Sequence, residues 1–545
     1  MSDIIGRECK FVTHIPANEE REDTHLVKER VFYKDGTSKP NLRIIENYKR
    51  PFYITKEPYR NHKQKKEHEE LIRLNEYWST QSGLVREAAK RLGIISRNPT
   101  YRDITLSPYI YGTDTDARVF IKHQYREKWP TATSPYTICV LDTESNIETN
   151  ELIIASATTN ENCYVAVLSS LVKNYRDPVK QLTYLKEKYL PKSPNTENIK
   201  VEFGIFETEI ELIDNLFQRI HQWKPDFLTM WNMAYDIGVM LDVCEKAGVD
   251  PKYIFSDPDL PDKLKEFKFT EDKVAKVTAS GANKPPGPQE RWHKVLCSSS
   301  FYWIDAMCAY NYVRVGSKTV SGGFGLNNIL EKELGSKLKK LKFEDETEQS
   351  LIGADYHRYM VNNKPLEYVI YNIWDVMSII ELDAKTKDLS VSVPILAGDS
   401  SFDIFKSSPK KIVDALYFFY LDKGYILGTR NPNLQENEEI SLSDWIVMLP
   451  VYRTQDIQLR PLSENNHLIT NAYSAVFDAD QVSGYPSDSM ALNVSRATML
   501  REILSIGNIP QETYKLQNIN LLFGPVNNVE YCTTLFNFPK LYDYK

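Results

Sequence analysis

The sequence predicts an α/β chain (α+β, multidomain) built around a layered central block at residues 131–388, with a mixed sheet and flanking helices. Three observations carry this. The run Tyr136-Thr137-Ile138-Cys139-Val140-Leu141 is largely apolar and β-branched, the pattern of a strand buried on both faces. Strand-like and helix-like segments then alternate as far as Gly248. At 545 residues the chain also exceeds what one core supports, and its length predicts roughly three or four domains.

Residues 1–130 read as a separate N-terminal domain, β-rich at Val31–Asp35 and Leu42–Tyr53. Lys66–Arg73, with Lys and Glu as near neighbours, reads as the face of a solvated helix. A second helical run, Leu84–Leu92, precedes a loop and the segment Val119-Phe120-Ile121-Lys122. In the central block, Leu152–Thr158 and Tyr164–Leu168 read as partner strands of Tyr136–Leu141. Ile210, Ile213, Leu216, Phe217 and Ile220 have helical spacing, so Glu209–His221 is a helix. Pro225–Asn232 reads as a strand leading into a loop, and Tyr235–Ala247 as a helix stopped by Gly248. The breaker Lys284-Pro285-Pro286-Gly287-Pro288 makes residues 275–292 a surface loop or hairpin tip. A turn at Ser321–Gly325 leads to a helix at Leu326–Leu334, and Pro365–Ala384 is a longer helix.

Composition shifts after Leu389. Residues 389–430, with Val391–Leu396 and a helix at Lys410–Tyr420, read as a helical return to the N-terminal domain. A polar linker, Arg430–Glu439, opens the last block, residues 431–545.

Composition excludes several classes. The chain is 42% hydrophobic and 26% charged, and no stretch approaches the ~18 apolar residues of a membrane span. Its first residues lack the charged-then-apolar layout of a signal peptide. Seven cysteines stand at 9, 139, 163, 244, 297, 308 and 532, and none shows C-x-x-C spacing. That argues against zinc ribbons and redox dithiols, and for a reducing, cytoplasmic setting. A net charge of −7 excludes a generic cationic DNA-coating protein but not an enzyme whose DNA contacts are confined to a groove.

Carboxylates are the candidate chemistry. Asp142 and Glu144 end the apolar strand two positions apart, and side chains at i and i+2 leave the same face. Asp-x-Glu also occurs in exposed turns, but a buried strand has little reason to end in two charges. Asp236 follows Asn232 by four positions at a helix start, where it can cap the helix or serve a site. Tyr371 and Asp375 are one helical turn apart, as in a metal-site helix or any amphipathic one. Four carboxylates suffice to hold two Mg²⁺ ions about 4 Å apart.

Taken together, Asp142-Thr143-Glu144, Trp231-Asn232 with Tyr235-Asp236, and Tyr371-Asn372-Ile373-Trp374-Asp375 resemble the three motifs of the DEDDy proofreading exonucleases of family B DNA polymerases. In the second motif the family has Phe-Asp, and the gap from Asn232 to Asp236 is one residue shorter than usual. Asp480-x-x-Ser483-x-Tyr485-Pro486-Ser487 resembles polymerase motif A, with Gly484 in place of its leucine. The resemblance covers most of the chain from about residue 130 and is strongest to phage-type enzymes, which implies the cytoplasm of a host cell.

The resemblance implies an RNase H-like fold for 131–388 and the start of a polymerase palm at 431–545. It implies 3′→5′ proofreading with two Mg²⁺ ions, replaceable by Mn²⁺, that activate water and stabilise the leaving 3′ oxygen. Asp142, Glu144, Asp236 and Asp375 would hold the ions, and Tyr371 would position water. Asn232 would bind substrate, Asp480 would be a metal ligand of the polymerase site, and Tyr485 would check the ribose of the incoming nucleotide.

No Lys-x-x-x-Asn-Ser-x-Tyr-Gly helix and no Asp-Thr-Asp-Ser strand follows Ser487. The rest of the polymerase would then come from a second polypeptide, or be absent because the chain is a fragment; the resemblance further implies DNA (a single-stranded 3′ end or primer–template) and a sliding clamp as partners. Nucleotides would be used only in the complete complex, and no membrane is involved. A free-standing 3′→5′ exonuclease and a non-catalytic replisome scaffold are the rival readings; intact carboxylates in all three motifs speak against the scaffold.

Overall fold

The computed structural model describes residues 4–429 apart from 64, 67, 273–275, 278–282, 285, 315–322, 344–350, 400, 401 and 403–406. The linker at 430–439, Asp480 and Tyr485 lie outside the described residues. The chain divides into two units, Met1–Thr429 and Arg430–Lys545.

The N-terminal part is strand-rich. Strands β1 (Ile4–Ile15), β2 (Thr24–Tyr33) and β3 (Ser38–Glu46) form an antiparallel sheet in that order. A turn with Asn47 at φ 53° separates β3 from β4 (Lys49–Thr55), so the β-rich run Leu42–Tyr53 is two strands. Lys66–Arg73 is not a helix. It forms strand β5 (His68–Glu70) and a single 3-10 turn, Leu71–Arg73. The lysine and arginine neighbours do meet a glutamate, Glu69, at 2.6 Å from Lys66 and 3.5 Å from Arg73. His68–Glu70 is extended because it pairs with a strand more than 350 residues away, as described below. Strand β6 (Leu74–Thr80) pairs with β4, which also pairs with β7 (Ile110–Tyr111). Between them Leu84–Leu92 is helical, stopped by Gly93 in the left-handed region. Val119–Lys122 lies inside a helix, Ala117–Lys128, capped by Asp116.

The central block is a six-stranded mixed sheet. Its strands are β8 (Ile138–Ser145), β9 (Leu152–Thr158), β10 (Asn162–Leu168), β11 (Lys200–Phe206) and β12 (Phe227–Met230). After them come an antiparallel pair, β13 (Phe267–Thr270) with β16 (Lys294–Cys297), and a smaller pair inside it, β14 (Lys276–Val277) with β15 (Asn283–Lys284). The sixth sheet strand is β17 (Tyr302–Asp305). The order is β11-β10-β9-β8-β12-β17. The β8–β9 and β9–β10 pairs are antiparallel, whereas β8–β12, β12–β17 and β10–β11 are parallel.

Strand β8 is apolar on both faces because both are covered. Cys139 and Leu141 join the core beneath the helices Glu209–Trp223 and Met233–Ala247, and Ile138 and Val140 join a second core with Ile304, Ile329 and Ile379. The helix Pro365–Thr386 contributes to both, with Trp374 in one and Val376 in the other.

Residues after Leu389 continue as the helices Val393–Ala397 and Ser408–Asp422 and strand β18 (Tyr425–Leu427), which pairs with β5. Tyr417, Phe418 and Ile426 pack there against Tyr53, Tyr111 and Phe120. Two buried lysines bridge the N-terminal sheet to the central block. Lys28 Nζ donates to the carbonyl oxygens of Lys224 and Pro225 at 2.6 and 3.1 Å, and Lys10 Nζ donates to that of Ser134 at 2.7 Å. Among the described residues, no helix is long and apolar enough to cross a membrane.

Candidate metal centre

The acidic residues gather where the parallel strands β8, β12 and β17 end. Ligands in open α/β sheets collect outside the carboxyl ends of such strands. Asp142 and Glu144 leave the end of β8 together, and the helix Pro365–Thr386 lays Asp375 beside them. One oxygen from each of Asp142, Glu144 and Asp375 lies within 4.8 Å of the others.

Each carboxylate is held by a different partner. Asn372 donates its amide to Asp142 Oδ2 at 2.7 Å, and its own oxygen accepts from Ser156 Oγ. Ser156 stands opposite Asp142 in the β8–β9 register, so Asn372 spans both strands. Tyr368, one turn before Asn372, donates its hydroxyl to Glu144 Oε2 and lies 2.6 Å from His357 Nδ1. Asp375 Oδ2 accepts from Lys340 Nζ at 2.5 Å, while its Oδ1 is buried with no hydrogen-bond partner among the described residues. Lys340 also donates to the Tyr371 hydroxyl at 2.9 Å, with its ammonium 5.0 Å from the Tyr371 ring centre. Tyr368, Tyr371, Asn372 and Asp375 thus share one face of the helix.

Asp236 is not among the three whose oxygens meet, although its charge acts on Asp142. Its Oδ1 accepts from the Thr143 backbone N–H at 3.0 Å and from the Thr143 hydroxyl at 2.8 Å, so it grips β8 between Asp142 and Glu144. It does not cap the helix Met233–Ala247. Asp305, at the end of β17, does part of that work by accepting from the Met233 N–H at 2.8 Å, and it caps the next helix through Cys308 N–H at 2.9 Å. Asn232 is exposed and makes no side-chain cap bond.

The electrostatics are those of buried, crowded carboxylates that Lys340 neutralises only in part. Burial, then the charges of Asp236, Glu144 and Asp375, pushes Asp142 well above the usual carboxylate range. Asp236 is raised to about 7 by burial, against the opposing hydrogen bonds from Thr143. Asp375 is raised by burial, with Lys340 pulling the other way. Burial alone would lower the Lys340 ammonium; Asp375, Tyr371 and Asp142 outweigh it and hold it well above its ordinary value. An all-oxygen donor set and an unpartnered buried carboxylate oxygen fit a hard divalent cation such as Mg²⁺.

Several residues here have no counterpart in the motif reading. Lys340 sits in a lysine-rich stretch, and only folding brings it to Asp375. Asn372 lies inside the third motif without an assigned role. Asp305 carries the same signal as Asp142, a carboxylate ending the apolar run Phe301-Tyr302-Trp303-Ile304, and was legible on that ground. No protein-family model matches this chain, and no curated protein does either.

Proposed function

We propose that the chain is the exonuclease-bearing front part of a family B DNA polymerase, and that its central block is a 3′→5′ DNA exonuclease of RNase H-like fold. The observation that carries the reading is the convergence of Asp142, Glu144 and Asp375 within 4.8 Å, although the chain separates Glu144 from Asp375 by more than 200 residues. The sheet adds support. Leaving out the edge strand β11, its order is third-second-first-fourth-fifth, with the first three strands antiparallel and the last two parallel to the first.

Asp142, Glu144 and Asp375 would hold the metal, with Asp236 as the fourth carboxylate beside them. Bound magnesium would supply the Lewis acidity that makes water nucleophilic and stabilises charge on the departing 3′ oxygen. Asn372 orients Asp142, and Tyr368 orients Glu144. Tyr371, held by Lys340 at 2.9 Å, presents a hydroxyl at the edge of the trio, where it would orient water toward the terminal phosphodiester. Lys340 is the cation next to that position and would attract the phosphate. Asn232, exposed at the head of its helix, would meet the substrate strand.

The palm reading of residues 431–545 rests on the Asp480–Ser487 motif alone. A labelled-primer assay with Mg²⁺, with and without deoxynucleotides, tests the proposal. Stepwise shortening from the 3′ end, faster on single strands than on duplex because terminal pairs must first melt, is the expected result. Internal cuts, 5′→3′ shortening or no metal-dependent cleavage would refute it.

A further inference from the structure

A second cluster of ligating groups lies in the N-terminal sheet, where β1 turns into β2. His14 and His25 stand directly opposite each other in the antiparallel register, which puts both imidazoles on one face. Their rings are stacked with centres 4.8 Å apart and planes 26° from parallel. Asp23, just before β2, places Oδ1 2.7 Å from His14 Nε2. One ligand atom from each of His14, Asp23 and His25 lies within 4.8 Å of the other two.

The decisive residue is His25. It is fully buried (0% exposed), and neither ring nitrogen has a hydrogen-bond partner among the described residues. Buried polar atoms are ordinarily paired, so an imidazole with both nitrogens idle, beside a second imidazole and a carboxylate, points to a missing ligand. The carboxylate is already oriented: Ser82 Oγ donates to Asp23 Oδ1, and the Gln81 N–H donates to Oδ2 at 3.0 Å.

We propose that His14, Asp23 and His25 form a site for a divalent transition-metal ion of the zinc type. Two imidazole nitrogens and a carboxylate oxygen suit zinc and do not suit magnesium or calcium, which take oxygen ligands. Three protein ligands leave a fourth position open. An open cavity of about 720 Å³, lined by Asn47, Thr80, Ser82 and Gly83, reaches the site at Asp23. His14, the less buried of the two histidines at 16% exposure, is the ligand free to adjust its ring. The ion would clamp the loop end of the β1–β2 hairpin. The site shares no residue with the carboxylate centre, and the proposal stands whether or not the chain is a nuclease.

Calorimetric titration of the full-length chain with zinc, in excess magnesium to saturate the oxygen-only centre, tests this. Asp142→Asn with Glu144→Gln serves as a second background in which that centre is disabled. The expected result is uptake of zinc in both backgrounds, a thermal midpoint raised by zinc, and affinity lowered more than about tenfold by His14→Gln or His25→Phe. His14 is partly exposed, so His14→Gln remains informative if His25→Phe does not fold. Cobalt in place of zinc should give visible bands that His14→Gln removes. No zinc uptake by the full-length chain, uptake lost in the Asp142→Asn/Glu144→Gln background, or affinity unchanged by His14→Gln would overturn the proposal.

Discussion

Asp142, Glu144 and Asp375 repel one another in a buried setting, and Lys340 offsets only part of that repulsion. A group of like charges so placed is unfavourable until a cation joins it. Replacing Asp142 and Glu144 together by alanine should therefore cut Mg²⁺-dependent 3′→5′ cleavage by about a thousandfold, the scale of several kcal/mol of lost transition-state stabilisation. The far-ultraviolet circular dichroism should be unchanged, and full activity in the double variant would sink the metal-centre assignment. Tyr371→Phe should slow cleavage about ten- to a hundredfold by loosening the water, with metal affinity kept. If it weakened Mg²⁺ binding as much as Asp375→Ala, the tyrosine would be holding the ion instead.

The same crowding makes a pH prediction with a defined sign. Burial raises Asp236 from 3.8 to about 7 and pushes Asp142 up as well. In the metal-free protein the folded state thus binds more protons than the unfolded chain across that window. Stability is fully present below the ordinary carboxylate value and falls as pH rises through about 7. Mg²⁺ binds the ionised form, so its stabilising effect should grow with pH. Urea midpoints at about pH 5 and about pH 8, with and without Mg²⁺, measure both trends. A metal-independent midpoint that rises between those two values would contradict the crowding.

Among elements, the helix Glu209–Trp223 has a start fixed by its own side chains. Thr208 accepts from the Glu211 N–H while Glu211 accepts from the Thr208 N–H, a reciprocal capping box. Thr208→Ala should cost about 1 kcal/mol, read as a shift in urea midpoint with unchanged slope. The helix Pro365–Thr386 behaves differently, because its stability and its chemistry share residues. Trp374 is fully buried and donates Nε1–H to the Lys339 carbonyl at 2.8 Å, which fixes the turn that carries Lys340. Trp374→Ala should cost about 3–5 kcal/mol from the lost core alone. It should also lower the cleavage rate under conditions where the variant remains folded, by releasing Lys340 from Asp375 and Tyr371. A variant that is destabilised but cleaves at the full rate would separate the two roles.

Across the unit Met1–Thr429, the N-terminal sheets are completed by residues that come after the central block. Strand β18 supplies the partner of β5, and Tyr417 and Phe418 fill the core around Tyr53 and Phe120. Ending the chain at Thr386 should therefore expose Tyr53, Tyr111 and Phe120 and lower the thermal midpoint of the N-terminal part, while ending it at Thr429 should not. Each such buried side chain contributes about 1.5–3 kcal/mol. Limited proteolysis of the two fragments checks this, and equal protection of residues 4–130 in both would refute it.

The elements legible in the sequence are those whose signals are local. Leu84–Leu92 and Leu326–Leu334 match the spacing of their apolar residues, and Leu152–Thr158 matches a compact apolar run. Asp142 and Glu144 were legible because a strand buried on both faces ends in two charges, which costs free energy unless something binds them. What no local pattern carries is the pairing of distant segments. Lys66–Arg73 has the charge spacing of a helix, yet His68–Glu70 within it is a strand because Tyr425–Leu427 lies alongside. The approach of Lys340 to Asp375, the bond from Met233 N–H at the start of its helix to Asp305 instead of Asp236, and the meeting of His14 with Asp23 and His25 are likewise products of packing. Side-chain types and spacing follow from the chain alone. Which charges end as neighbours depends on strand order and helix placement, and buried surface summed over the whole molecule sets those.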